Sequence, residues 1–269
     1  MEILSEEDPK KKLPEEERIT AEFKGVKRRF SNLLRDGIAD SLSMLGALGS
    51  NPKFKLADNT DTASYAEKVV NLLIEKAINE PSFWHDISDQ LQELSEAAPD
   101  SFLSKIESDL KKDNSTVLTL FEGQEGVIST NYDFPELLWA LEKLAWSPSY
   151  FTRVVMILAE LHKKAPETNI VNSAYGSLIS FFRLWLPQCG ANIDQRFAVI
   201  DRLNKKYPEL TWRLLVDLLP SRDSATILSG PGSKAVLWRD WKSEAEKPSN
   251  EEYFKSLELL TNRMGISQT

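Results

Sequence analysis

Apolar residues recur at three-and-four spacing along most of the chain, in segments separated by short polar or proline-bearing stretches. That period is the signature of amphipathic helices. Between about Glu15 and Leu48, Phe23, Val26, Phe30, Leu33, Leu34 and Ile38 line up as one apolar stripe. "GSNPKFKLADNTDT" then reads as a loop, and a new helix starts near Ala63, with Ser64 and Glu67 at capping-box spacing. That helix ends before "NEPSF", where Pro81 suits the first turn of the next. Further helices are predicted near 82–97, 99–111, 115–122, 134–146, 148–164, 172–186, 193–206, 208–219 and 250–264. Asp133 with Glu136, and Asn192 with Gln195, repeat the capping-box spacing. With 11 glycines and no run of alternating β-branched residues, little is left for a sheet, and the fold class is all-α.

Three segments share one phrase: "LQELSEAAPDSFLSKIESDL" (Leu91–Leu110), "LEKLAWSPSYFTRVVMILAEL" (Leu141–Leu161) and "IDRLNKKYPELTWRLLVDLL" (Ile200–Leu219). In each a helix ends, a proline follows, and a second helix begins. Apolar positions recur after the proline: Phe102/Leu103, Ile106 and Leu110; Phe151, Val155 and Ala159; Trp212, Leu215 and Leu219. Proline at a first helical position loses no helical hydrogen bond and has its φ already set, so it permits an abrupt turn. Stacked antiparallel helix pairs are the unit of an α-solenoid. Because Pro99, Pro148 and Pro208 are irregularly spaced, the expected fold is an irregular solenoid of helix hairpins, with a non-repeating helical bundle as the alternative.

Residues 1–14 read as a charged, frayed lead-in, 15–219 as the helical-repeat region, and 250–269 as a C-terminal helix that looks truncated. Between them, 220–249 is a long loop with little periodicity, the kind of segment that either carries function or lacks order.

Composition narrows the function classes. At 41% hydrophobic and 28% charged residues the chain is globular, and 269 residues suit one elongated domain or two compact ones. A formal charge of −8 argues against general binding of nucleic acid or anionic membrane, leaving room for a local basic patch. The single cysteine, Cys189, excludes an intrachain disulfide and a multi-cysteine zinc site. The N-terminus lacks the basic-then-apolar order of a signal peptide, and no apolar run approaches the roughly 20 residues of a membrane span. A soluble cytoplasmic protein is expected.

The search for chemistry returns little. "SGPGSKAV" lacks the glycine spacing of a phosphate-cradling loop and its lysine falls one residue late. His85 and His162 are the only histidines; His85 shares a helix face with Asp89, without the further ligands a metal needs, and His162 sits among lysines at a helix end. No base is placed by spacing to activate Cys189. "DNTDTASYAEK" lacks the sixth-position glycine of a calcium loop, and Asp61 and Thr62 read better as a helix cap. Lys24, Lys27, Arg28 and Arg29 read as a solvated face paired with Glu16, Glu17 and Glu22. Among seven tryptophans, Trp84, Trp139, Trp185 and Trp212 lie on helical stripes and are expected in the core, while Trp146 and Phe151 flank a turn they could pack. Trp238, Arg239, Trp241 and Lys242, in "LWRDWK", are the candidate site: a clamp pinning the loop to the helices, or a partner contact. No catalytic residue, cofactor or metal ligand is expected.

"LLWALEKLAWSPSYFTRVVMILAEL", "FFRLWLPQC", "RFAVIDRLNKKYPELTWRLLVDLLP" and "WRDW", with "LLRDGIADSLSMLGALG", together resemble one family region. They are similar to the helical-repeat region that follows the ATPase module in STAND-type P-loop NTPases, very large bacterial proteins of which several act in antiphage defence. The likeness runs from about Leu33 to Trp241. It implies a sensor or scaffold that binds a target protein, with the ATPase and effector on a neighbouring chain or missing. It also implies further repeats beyond "GISQT", so that the chain reads as a fragment, a split gene product or a degenerate copy. No enzymatic residue of that family carries over. A purely structural spacer, and an enzyme with scattered site residues, are the competing readings.

Overall fold

The computed structural model describes residues 1–18, 20, 21, 23–49, 51, 53, 55, 56, 60–123, 132–166, 172–220, 236–242 and 244–265. Its helices are α1 (Glu15–Arg18), α2 (Asn32–Leu48), α3 (Thr62–Asn79), α4 (Trp84–Ile87), α5 (Leu91–Ala97), α6 (Pro99–Leu110), α7 (Phe134–Leu144), α8 (Pro148–Lys164), α9 (Ala174–Phe182), α10 (Ile193–Lys206), α11 (Pro208–Asp217) and α12 (Asn250–Arg263). Among the described residues there is no strand, only an isolated bridge between Lys55 and Asp61. The chain is all-helical. No helix among the described residues is long and apolar enough to cross a membrane.

Each of the three shared prolines starts a helix, and the residue before it leaves helical geometry. Ala98 has φ −144° and ψ 73°, Ser147 φ −91° and ψ 120°, and Tyr207 φ −136° and ψ 66°. This is the steric effect of the proline ring on its predecessor. The apolar stripe behind the third proline does not match the other two. Phe102 and Phe151 are buried, whereas Trp212 is 55% exposed and α11 buries Thr211, Leu214 and Leu215 instead. Trp212 is therefore not a core residue. Trp84 and Trp146 are buried, and Trp139 and Trp185 are partly so.

The chain divides into two compact units, one of Met1–Ala140 with Leu237–Arg239, the other of Leu141–Val236 with Asp240–Thr269. In the first, α2 packs against α3 and α5, and α3 against α6. Leu73, Ile74, Phe83, Trp84, Leu91 and Phe102 are among its largest fully buried side chains. The stripe expected over 15–48 is overturned here. Between 15 and 31 the described residues are helical at Glu15–Arg18 alone, and Gly25 turns the chain with φ +75°. Phe23, Leu33 and Leu34 face solvent, while α2 buries Arg35, Ala39, Leu42, Ser43 and Gly46. Small residues sit on that face because α5 comes very close: a Cβ on Gly46 would fall 1.9 Å from the Ala97 carbonyl oxygen.

Arg35 also explains why the lead-in is held rather than frayed. Its guanidinium is fully buried and donates to the carbonyls of Ile3 (2.7 Å) and Asp86 (2.7 Å) and to Gln90 Oε1 (3.2 Å). The Asp8 amide and the Lys11 ammonium both reach Asp86 Oδ1, at 2.9 and 2.6 Å. Leu4 is buried alongside.

The segment predicted as one helix over 82–97 is four short pieces, with 3-10 turns at Pro81–Phe83 and Ser88–Gln90 around α4. The helix expected over 115–122 is a 3-10 turn, Thr116–Phe121. The buried Asp109 carboxylate draws in Ser115 Oγ (2.8 Å) and the Val117 amide (2.9 Å), and so tightens its start. Asp61, not Ser64, caps α3, its carboxylate accepting the Ser64 amide at 2.8 Å.

In the second unit α8 packs on α9 and α10, and α10 on α11 and α12. Phe151 meets Phe181 and Phe182 edge-on, each at 5.8 Å between centroids. Asn192 with Gln195 and Ser249 with Glu252 form complete capping boxes at the starts of α10 and α12.

Candidate functional site

The four residues singled out from "LWRDWK" are divided between the two units. Leu237, Trp238 and Arg239 belong to the first unit, Trp241 and Lys242 to the second. What gathers the first three is Glu96, a fully buried carboxylate near the end of α5. The Leu237 amide donates to both of its oxygens (2.9 and 3.0 Å), and the amides of Trp238 (2.6 Å) and Arg239 (3.2 Å) to Oε1. Arg239 adds its Nε to the Glu96 carbonyl at 2.9 Å and its Nη2 to the Ala97 carbonyl at 3.5 Å, satisfying acceptors at the helix end. Trp238 Nε1 donates to Asp40 Oδ1 on α2 at 2.8 Å.

Three consecutive amides converging on one anion form a main-chain nest. Here the nest is the main chain of Leu237–Arg239, a strap tied to α5, and the anion is the protein's own side chain. A carboxylate removed from water must recover its hydration as hydrogen bonds, and charged acceptors contribute roughly 1.5–3 kcal/mol per bond. Main chain and Arg239 therefore hold the strap. Trp238 itself is 38% exposed, so its ring contributes less.

Trp241 lies 5.7 Å from the Tyr150 ring, tilted against it, and Lys242 pairs with Glu246 one helical turn's distance along the chain. Nothing in "LWRDWK" announces Glu96 or Asp40 as partners. They lie 141 and 198 positions from their donors, and Glu96 reads locally as an ordinary polar helix position.

The remaining candidates meet partners that their spacing did not always indicate. His85 Nδ1 is 2.6 Å from Asp133 Oδ2, so its partner is not Asp89. Cys189 is buried, which pushes its thiol up to about 11 and leaves the reactive thiolate scarce at neutral pH. The His162 ring rests 5.3 Å from that of Tyr175. Lys24 pairs with Glu17, Arg28 with Asp86 and Arg29 with Glu2. "SGPGSKAV" lies outside the described residues except for Val236. No group of three or more His, Cys, Asp or Glu side chains among the described residues is arranged to hold a metal. No protein-family model matches the chain, and neither a curated protein nor a solved structure does.

Proposed function

We propose that the chain is a non-catalytic protein-recognition module built of stacked helix pairs, the sensor-like helical region of a bacterial defence ATPase system. Its partner is a protein, and the ATPase or effector domain is carried elsewhere. The observation that supports this reading is the outer face of α11. Trp212 (55% exposed) and Val216 (42% exposed) stand one helical turn apart and present a joint apolar surface.

The rim of that surface is fixed before any partner arrives. The Arg213 guanidinium lies 4.4 Å over the Tyr175 ring and 3.8 Å from Asp217, and the Tyr175 hydroxyl donates to Asp217 at 2.6 Å. Burial pushes the Tyr175 hydroxyl well above its ordinary value, and Asp217 adds to this, so the phenol stays a donor. An exposed tryptophan inside a preorganised polar rim is the composition that dominates binding energy at protein interfaces.

The test is co-purification of the full chain with the proteins encoded beside its gene. The wild type is expected to retain an ATPase or effector subunit, and Trp212→Asp to lose it while helical content and melting are preserved. Retention of the same subunit by Trp212→Asp, or the absence of any ATPase or effector among those proteins, overturns the proposal. So does substrate turnover by the purified chain that a substitution within it abolishes.

A further inference from the structure

A cleft of about 340 Å³ opens beside the start of α2 in the first unit, lined by Lys10, Lys27, Arg28, Phe30, Ser31 and Asn32, with Asp8 at its edge. The volume is at the small end of the range for small-molecule sites, about 300–1,000 Å³.

Its charge is one-sided in a chain whose net charge is −8. Three cationic side chains line it against a single carboxylate. That carboxylate is engaged within the protein, Asp8 Oδ1 accepting the Lys10 amide at 3.0 Å and Oδ2 lying 4.0 Å from Arg28 Nη2. Arg28 is 12% exposed and is held from behind by Asp86, through Oδ1 at 3.3 Å and the carbonyl at 3.4 Å. Its Nε is buried and has no hydrogen-bond partner. Asp86 is shared with Lys11, so one buried carboxylate answers two cations. Burial pulls Lys11 and Arg35 below their ordinary values; the Arg28 charge adds to both, against the opposing pull of Asp86.

The helix itself adds to the field. Ser31 caps α2 through the Leu34 amide at 3.3 Å, and the first turn carries no acidic residue. Asn32 and Leu33, in the first turn of this 17-residue helix, are exposed, and their amides meet no acceptor among the described residues, so the positive end of the helix faces the cleft. Helix amides together with ammonium and guanidinium groups are the donors that suit a tetrahedral dianion. Phe30, covered on a ring face by the Arg29 guanidinium at 4.2 Å, supplies an apolar wall beside them.

We infer that this cleft binds the phosphate of a small phosphomonoester, with Lys27, Arg28 and the Asn32 end of α2 receiving its oxygens and Phe30 flanking its organic group. The inference stands apart from the protein-recognition reading and survives if that reading fails.

Calorimetric titration of the full chain tests it, at pH 8 and ionic strength held constant with sodium chloride. The probes are inorganic phosphate, phosphoserine and phenyl phosphate. All three are expected to compete for one site, with the two esters tighter than inorganic phosphate. Lys27, exposed and outside the packed core, can be changed without unfolding the chain. Lys27→Glu should weaken each probe by about tenfold or more, since it replaces an attracting charge by a repelling one beside a dianion. Lys68→Glu, on the exposed side of α3, should leave binding unchanged, and Lys27→Arg should retain it. Affinity should fall as pH drops through about 6, where a phosphomonoester takes up its second proton. Absence of binding by all three probes at about 10 mM overturns the inference. Equal losses in Lys27→Glu and Lys68→Glu also overturn it, by marking a general surface charge effect. Binding of inorganic phosphate without either ester overturns the assignment of a phosphomonoester.

Discussion

Glu96 and Trp238 make opposite claims on the same strap, and substitution separates them. Glu96→Ala removes the acceptor of three amides, and the full chain should lose about 2–4 kcal/mol in urea unfolding. Trp238→Ala removes one hydrogen bond to Asp40 and a partly exposed ring, and should lose about 1 kcal/mol. Should Trp238→Ala prove the costlier, the ring and not the carboxylate would be what holds Leu237–Arg239. Glu160 on α8 gives a pH dependence. It accepts from the Tyr207 hydroxyl and lies 3.3 Å from Lys206 and 3.7 Å from Lys164. Burial alone would raise its carboxyl; the hydrogen bonds and ammonium groups outweigh that and hold it below the ordinary 4.5. The folded chain then binds fewer protons than the unfolded one just below that value. Stability contributed by Glu160 is present above pH 4.5 and is lost as pH falls through its lowered folded value. Urea midpoints between about pH 6 and 3 should show a shallower acid loss for Glu160→Gln than for the wild type. An unchanged slope would mean that the cluster contributes nothing to acid sensitivity.

At the scale of elements, two glycines on α2 carry opposite expectations. Gly46→Ala must displace the backbone of α5 at Ala97 and should cost about 1–3 kcal/mol or more. Gly37→Ala meets nothing within 4 Å and should add about 0.5–1 kcal/mol through better helix propensity. Thermal melts of the two variants should therefore move in opposite directions; a stabilised Gly46→Ala would refute the close helix contact. The same helix marks where the sequence stops being legible. The capping box at Asn192 and the breaks before Pro99, Pro148 and Pro208 are local, and local spacing reveals them. The buried face of α2 is not local. Arg35 and Gly46 are inside because of what Ile3, Asp86 and Ala97 offer from elsewhere in the chain, so hydrophobicity alone pointed to the wrong face. The strap fails for the same reason. "LWRDWK" is conspicuous, yet nothing within it names Glu96.

For the whole molecule, the long reach of the strap has a consequence in the order of synthesis. Glu96 leaves the ribosome 141 residues ahead of Leu237. At about 5–20 residues per second that interval is roughly 7–30 s. Throughout it the carboxylate that ends up fully buried has none of its amide donors, and α5 must pair with α2 and α6 around an incomplete acceptor. Nascent chains stalled with residues 1–140 emerged should therefore be digested at α5 faster than chains stalled after Arg239 has cleared the exit tunnel. Equal protection at both lengths would mean that the first unit closes over Glu96 without its strap. If the difference is found, the last step in maturing an early-made helix waits on a tripeptide made much later.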